Sequence, residues 1–291
     1  MINDKVAVII LNYCSAQDTI RLIKSIEKYE ENYHIIVIDN HSEQKDKAIL
    51  SILDGRYEVI YLEDNTGYAA GNNVGIRRAM ELGYEYFLIA NSDTEIIYPN
   101  TIKNLLVMMK ELNASIIGPK MLDASGTLDS GIIIDSKWGR TYRETPEKIC
   151  RCRSLIGAFL LISKNTIEIN GLLPEEYFLY REETDYFVQA YEKGLNIIYN
   201  PEITIVHRHG TTTGRVWDYY FNRNTIYFAR KVRKTNIFLL GIYHFSKSCY
   251  LTLRILCGLD YKKNKKNAIY LMWYGYIDGM LGKTGKNDKV K

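Results

Sequence analysis

Asn91-Ser92-Asp93 stands directly behind the apolar run Glu85–Ala90. A carboxylate at such a point can hold a divalent cation that bridges two phosphates. The same tripeptide also suits a helix start, where Ser and Asp are common caps. Downstream, Glu182, Glu183 and Asp185 crowd together in LYREETDYFVQA, with Tyr177, Phe178, Tyr180 and Tyr186 around them. Acids packed closely among aromatic rings raise one another's pKa, which suits a general base that takes a proton from a hydroxyl. A solvated helix face has a similar composition. Val206-His207-Arg208-His209-Gly210 follows the strand-like Ile203–Val206. Its histidine either completes a metal site or meets a diphosphate, with Arg208 as charge partner, or is purely structural. Gly67-Tyr68-Ala69-Ala70-Gly71-Asn72-Asn73-Val74-Gly75 opens a helix with small residues, either for a backbone approach to phosphate or for tight packing. It is neither a Walker loop nor a dinucleotide fingerprint. Those follow a first strand, where this chain has Asn12-Tyr13-Cys14-Ser15.

These residues need a sheet to bring them together. Lys5–Leu11 reads as a strand buried on both faces, and His34–Asp39, Tyr57–Leu62 and Glu85–Ala90 as three more. Helical patterns over Ala16–Tyr29, Glu43–Leu53 and Gly71–Leu82 separate them. Alternation of this kind implies an α/β fold, a mostly parallel sheet with helices on both faces. Ligands bind such sheets at the carboxyl ends of the strands. Asn12-Tyr13, Asp39-Asn40, Asp64-Asn65 and Asn91-Ser92-Asp93 therefore share one rim. After a helix over Pro99–Asn113 and a strand over Ser115–Gly118 the alternation stops. Ser130–Asp135, Leu155–Ile162 and Asn196–Tyr199 read as strands between longer loops, and the pattern from Tyr219 is helical.

The net charge of +4 conceals a division. From Asn222 to Lys291, 15 Lys and Arg oppose Asp260, Asp278 and Asp288, so this tail carries +12 and the residues before it −8. Phe238, Leu239, Ile242, Phe245, Tyr250, Leu253 and Leu256 are spaced as one helical face, and Lys262, Lys263, Lys265 and Lys266 follow. A basic tail with an apolar face points to a polyanionic partner, an anionic membrane surface (through 237–291) rather than nucleic acid. Packing on the rest of the chain, or a homodimer through the same helices, would use that face equally well. Ile237–Leu259 is broken by His244, Lys247 and Arg254, and no run of about 18 apolar residues spans a bilayer. Five cysteines without framework spacing and no signal peptide lead to the expectation of a cytoplasmic protein, peripheral on the inner face of the plasma membrane.

Taken in order from Val6 to about Arg230, these segments resemble the family 2 glycosyltransferases with a GT-A fold, especially the bacterial rhamnosyltransferase-like branch. VAVIILNY is similar to the family's first strand and nucleoside-contacting turn, which implies roles for Asn12 and Tyr13. VIDNHS resembles a segment whose acid, here Asp39, meets the pyrimidine. NTGYAAGNNVGI is similar to the donor-pocket segment, implying Asn65, Gly67, Asn72 and Asn73. ANSDTEI resembles the DxD motif, with Asp93 as metal ligand beside Asn91 and Ser92. GAFLLISK resembles the family's Gly-Ala-x-x-Leu, which implies a donor-site role for Gly157. EYFLYREETDYF resembles Phe-x-Glu-Asp-x-Asp and implies Glu183 as catalytic base, with Glu182 before it and Asp185 after it. The family usually has Asp at the base position, so Glu183 reaches one methylene further and leaves Glu182 and Asp185 as alternatives. PEITIVHRHG is similar to the closing strand, with His207 as second metal ligand. YYFNRNTIYFAR resembles the Arg-Asn-containing helix that follows.

The resemblance implies an inverting glycosyltransferase dependent on Mn²⁺ or Mg²⁺. It would move a sugar from dTDP-rhamnose or a UDP-sugar to a growing, lipid-linked surface glycan. The implied organisation is a catalytic domain over 1–218 (nucleotide half 1–118, acceptor half 119–218) and a basic helical region over 219–291. One rival, a sugar-phosphate nucleotidyltransferase, needs a glycine-rich loop with Arg and Lys that Asn12–Asp18 lacks. The other, a non-catalytic membrane-associated protein, would not need the intact acids.

Overall fold

A computed structural model describes residues 5–30, 33–138, 141–208, 214–260 and 264–290. His209, Gly210, Lys262 and Lys263, singled out above, lie outside the described residues. The elements run β1 (Val6–Asn12), α1 (Ala16–Tyr29), β2 (His34–Asp39), α2 (Gln44–Leu50), β3 (Glu58–Tyr61), α3 (Tyr68–Glu81), β4 (Tyr86–Asn91), β5 (Thr94–Ile96), α4 (Thr101–Glu111) and β6 (Ile116–Leu122). They continue with β7 (Leu128–Ser130), β8 (Ile132–Asp135), β9 (Thr141–Glu144), β10 (Cys150–Arg151), β11 (Phe159–Ser163), α5 (Lys164–Asn170), α6 (Glu182–Glu192), β12 (Ile197–His207), α7 (Gly214–Lys231), α8 (Ile237–Leu256) and α9 (Lys265–Leu281).

One large sheet has the order β10-β12-β6-β11-β4-β1-β2-β3, with β5 joined to β12 and β7 to β6. The strands β4, β1, β2 and β3 are parallel, so Asn12, Asp39 and Asn91 end on one rim, with Asn12 opposite Asp39 and Leu11 opposite Asn91. Beyond β4 the sheet turns mixed, because β11 runs antiparallel to both β4 and β6. The apolar run of β1 serves two cores, as alternate side chains of a strand point to opposite faces. Val6, Val8 and Ile10 pack with α1 residues Ile20, Ile23 and Ile26, whereas Ala7 and Ile9 pack with α3 residues Ala69, Ile76 and Ala79.

Several expectations are corrected. No helix follows Asn91-Ser92-Asp93; a turn leads straight into β5. The expected strand 130–135 is interrupted at Gly131, where a Cβ would lie 2.8 Å from the Glu144 carbonyl oxygen. The two pieces Asn196–Tyr199 and Ile203–Val206 are one strand, β12, whose register shifts between Asn200 and Thr204. Pro201 has no N–H for the ladder, and Asn200 Oδ1 accepts the Glu202 N–H at 2.9 Å within that irregularity. The final helical region begins at Gly214, ahead of Tyr219.

The glycines of α3 answer to packing. A Cβ on Gly75 would lie 2.4 Å from Ile9 Cγ2, and one on Gly71 2.5 Å from Leu11 Cδ1. Substituting Gly75→Ala is expected to cost ~1–3 kcal/mol, because Ile9 is fully buried and has nowhere to move. Thermal denaturation should register this as a fall in Tm of several degrees, about 2–4 °C per kcal/mol for a domain of comparable size.

In the C-terminal region α7 and α9 pack directly together. Gly275 and Gly279 sit on the α7 backbone, where added Cβ atoms would lie 2.4 Å from the Tyr219 oxygen and 2.7 Å from the Arg223 oxygen. Helix α8 lies outside this pair, held by Trp273 Nε1 donating to Thr252 Oγ1 at 3.0 Å and Tyr276 Oη donating to the Gly241 oxygen at 3.3 Å. The seven apolar residues of the expected α8 face are each more than half exposed, led by Phe238 at 71%. Packing on the rest of the chain therefore leaves this face open. No helix among the described residues is long and apolar enough to cross a membrane.

Candidate active site

Strand register brings Asp93 to His207. The short β5 pairs antiparallel with the end of β12, placing Thr94 opposite His207 and Glu95 opposite Val206. The Arg208 N–H donates to the Asp93 carbonyl at 2.8 Å and locks the turn. Asp93 Oδ1 then lies 3.5 Å from His207 Nε2, with both side chains largely enclosed. A carboxylate beside an imidazole is a donor set that Mn²⁺ accepts, with phosphate oxygens and water for its other positions. These two residues thus fit a divalent cation. Arg208 does not point its charge at this pair; its Nη2 sits 2.6 Å from Glu95 Oε2.

A second cluster faces the same rim. Tyr68, at the start of α3, donates its hydroxyl to the Gly157 carbonyl at 2.6 Å. Gly157 is tightly enclosed, since a Cβ would lie 3.3 Å from Glu183 Cβ, Glu183 Cγ and Tyr68 Oη alike. Glu182 and Glu183 form the first turn of α6, and each has an enclosed Oε2 with no hydrogen-bond partner among the described residues. Burial pushes the Glu182 carboxyl well above the usual range, and the neighbouring Glu183 charge adds to this. Burial also raises Glu183, while backbone hydrogen bonding and the Arg181 guanidinium oppose the shift. The Tyr68 phenol is raised by burial first and then by Glu183, Glu182 and Asp93. The Asn91 N–H donates to the Ala158 carbonyl at 2.8 Å, so the cluster of Gly157, Tyr68 and Glu183 adjoins the strand end that leads into Asp93.

The third acid is placed differently. Asp185 is fully buried, with Oδ2 2.9 Å from Lys231 Nζ of α7 and Oδ1 accepting Gln189 Nε2 at 2.6 Å. Its carboxylate ties α6 to α7.

The profile of glycosyl transferase family 2 matches residues 7–164, a stretch that holds the parallel strands, Asp93 and Gly157. The chain belongs to this family. Two curated relatives extend the likeness along nearly the whole chain. The low-salt glycan biosynthesis hexosyltransferase Agl10 of Haloferax volcanii is 28% identical over 310 residues, covering 99% of this chain and 94% of that one. The dTDP-rhamnosyl transferase RfbF of Shigella flexneri is 27% identical over 276 residues, covering 89% of this chain and 90% of that one. Among solved structures, GalNAc-T7 with UDP, GalNAc and Mn²⁺ superposes with a TM-score of 0.59 at 14% identity. That match covers 80% of this chain and 52% of the other, so the chain spans about half its length. The fold is GT-A with a C-terminal helical extension, as the sequence led one to expect. Family membership sets aside the nucleotidyltransferase reading.

Within this family 2 framework, several rim residues serve the protein itself. Asn12 is fully buried; its Nδ2 reaches Asp39 Oδ1 at 2.8 Å, Ser42 Oγ at 3.0 Å and Asp46 Oδ2 at 3.2 Å. Its Oδ1 accepts Thr19 Oγ1 at 2.8 Å and Ser15 Oγ at 3.2 Å. Asp39 also accepts the Ser42 N–H at 3.2 Å, which still leaves its carboxylate acceptor capacity. Tyr13 is half exposed beside them. Asn65 Oδ1 accepts the Gly67 N–H at 3.0 Å. Gly67, at φ 87°, lets the chain pass Phe178, whose carbonyl oxygen would be 2.2 Å from a Cβ there. Asn73 is spent on the 173–175 segment, donating to the Leu173 oxygen at 2.9 Å and Glu175 Oε1 at 2.8 Å while accepting the Leu173 N–H at 3.0 Å. Asn72 keeps a buried Oδ1 without a partner among the described residues. Ser92 Oγ is 2.8 Å from Ser15 Oγ, joining the β4 and β1 ends.

Sequence reasoning placed Asn40 on the rim and Tyr68 in the glycine-rich segment but gave neither a role. Asn40 Oδ1 accepts the Thr66 N–H at 2.9 Å, and its Nδ2 donates to the Gly67 oxygen at 3.1 Å. Its place beside Asp39 on the rim was the one available signal.

Proposed function

We propose that the chain is an inverting, metal-dependent hexosyltransferase that takes its sugar from a nucleoside diphosphate carrier, dTDP-rhamnose or a UDP-sugar. The observation that carries the reading is the enclosed Glu183 Oε2, without a hydrogen-bond partner among the described residues, packed against Gly157 beside the strand end that leads into Asp93. Tyr13, Asp39, Asn72, Asn91 and Ser92 would hold the donor, on a framework set by Asn12, Asn65, Gly67 and Gly157. The rhamnosyl relative supports dTDP-rhamnose, and the UDP and Mn²⁺ of the structural neighbour support a nucleotide with a divalent cation.

Glu183 accepts the proton of an acceptor hydroxyl as that oxygen attacks the anomeric carbon. The new C–O bond forms on the face opposite the departing phosphate, whose oxygen leaves with the bonding electron pair on the nucleoside diphosphate. A Mn²⁺ or Mg²⁺ held by Asp93 and His207 would supply charge neutralisation for that diphosphate. Burial and the Glu183 charge push the Glu182 carboxyl up furthest, which leaves Glu183 the more readily ionised of the pair. Phe178 packs on Tyr220 and Tyr180 on Phe221 in the segment before Glu182, and these rings would limit access of water to the donor. The test is a panel of nucleotide sugars with Mn²⁺, read for release of nucleoside diphosphate; pyrophosphate release from a sugar phosphate and nucleoside triphosphate would overturn the reading.

The acceptor fitting this chain is a growing lipid-linked glycan at the inner face of the plasma membrane. The open apolar face of α8, the exposed Lys265 and Lys266 and the positive tail support peripheral attachment to anionic lipid. The full chain should sediment with phosphatidylglycerol vesicles but not with phosphatidylcholine vesicles, and replacing Phe238 and Leu253 by Ser should release it. A protein that ignores both vesicles and elutes as a dimer would assign the face to a second copy instead.

A further inference from the structure

The segment that leads into Glu182 and Glu183 adopts a backbone its sequence resists. Phe178, Tyr180 and Arg181 have φ of 66°, 69° and 80°. Left-handed conformations are disfavoured for residues with bulky side chains and persist only where surroundings impose them. Here three consecutive residues of α7 impose them. Asn224 Nδ2 lies 3.0 Å from the Tyr177 oxygen, 2.7 Å from that of Leu179 and 2.9 Å from that of Tyr180. Asn224 Oδ1 accepts Arg223 Nε at 2.9 Å, which fixes the amide so that its donors face the loop. Arg223, itself fully buried, adds Nη2 to the Tyr177 oxygen at 2.8 Å and spends Nη1 on the Gly285 oxygen at 2.6 Å. Thr225 Oγ1 accepts Arg181 Nη2 at 3.0 Å. Tyr177, Arg181, Arg223, Asn224 and Thr225 are buried, Leu179, Tyr180 and Gly285 partly so, and α6 begins immediately after Arg181.

A single side-chain amide thus gathers three carbonyls that an unrestrained chain would point apart. Gathering them sets the direction in which α6 starts, and Glu183 is the second residue of that helix. The donor rim is built on β1, β2 and β4, and Asn224 makes no described hydrogen bond to those strands. Loss of the amide should therefore disturb the base and spare the nucleotide.

We propose that Asn224 is a positioning residue for Glu183, holding the strained 177–181 loop so that the carboxylate faces the cleft. This rests on the reading of Glu183 as the base. The test compares the full chain with Asn224→Ala and Glu183→Gln. Nucleotide binding is read as the rise in Tm given by UDP or dTDP with Mn²⁺, and turnover as kcat and donor KM over a range of pH.

For Asn224→Ala, kcat should fall at least about 30-fold, with donor KM within about threefold and the nucleotide shift retained. The acid limb of its pH profile should move towards ordinary carboxylate values as water reaches Glu183. A purely structural role would lower Tm and leave kcat and the acid limb unchanged well below the melting range, and that result overturns the proposal. If Asn224→Ala does not fold, Asn224→Ser, which keeps one donor, is measured with the same two outcomes. Active Glu183→Gln would sink the base reading and the positioning role with it. Inactive Glu183→Gln beside a fully active Asn224→Ala would sink the positioning role alone.

Discussion

Glu183→Gln should lower turnover by about 10²–10⁴ while leaving the Mn²⁺-dependent rise in Tm with nucleotide unchanged. Gln keeps the shape that Gly157 accommodates and removes only the proton acceptor. The pH dependence gives an independent reading. Burial raises the Glu183 carboxyl, so the base is ionised only at higher pH than a free glutamate with a pKa of about 4.3. Activity must therefore fall as pH drops through that raised value, and residual Glu183→Gln activity should lack this acid limb. Glu182→Gln is the matched control. Burial and its neighbour's charge push the Glu182 carboxyl well up and favour its neutral form, so the neutral amide should cost far less. If Glu182→Gln is the inactive variant, the two roles are reversed.

Asp93→Ala is expected to abolish the Mn²⁺-dependent stabilisation by nucleotide and to lower turnover by about 10²-fold or more. A ligand that binds only the folded chain raises its melting temperature by mass action, so a thermal shift at fixed nucleotide reports this directly. The Asp93 side chain comes within reach of His207 through strand pairing. Alanine at 93 should therefore disturb neither β5 nor the Arg208 N–H bond, which goes to the Asp93 backbone oxygen. A folded Asp93→Ala variant that keeps the full Mn²⁺ effect would remove this residue from the metal role.

How much of this could be read from sequence depends on the range of the interaction. Asn12, Asp39 and Asn91 were legible as a rim because each ends a buried strand, and parallel strands end on the same side. The acids of α6 were legible because they adjoin one another. The pairing of Asp93 with His207 carries no local sign, since it depends on β5 meeting the far end of β12. Pro201 hid the continuity of that strand, because a residue without an N–H reads as a break. Asn73 looked like a pocket residue from its glycine-rich company, yet its amide serves Leu173. The Arg223-Asn224 clamp was invisible for a similar reason. A polar pair inside a helix discloses nothing about which loop it will meet.

The mutual packing of α7 and α9 leaves α8 on the outside, anchored through Leu240, His244, Ser248 and Ile255 with its other face open. The chain departs from the scaffold after α7, makes the outer helix and returns to the scaffold at α9. The parts that restrain the α6 loop, Arg223, Asn224 and the Gly285 carbonyl, all belong to the inner pair and its following segment. The exposed residues of α8 should therefore tolerate exchange without retuning the chemistry, whereas its buried inner residues should not. Under the proposed membrane attachment the open face would act as an address, and transplanting it should redirect where a sugar is delivered while leaving the choice of sugar alone.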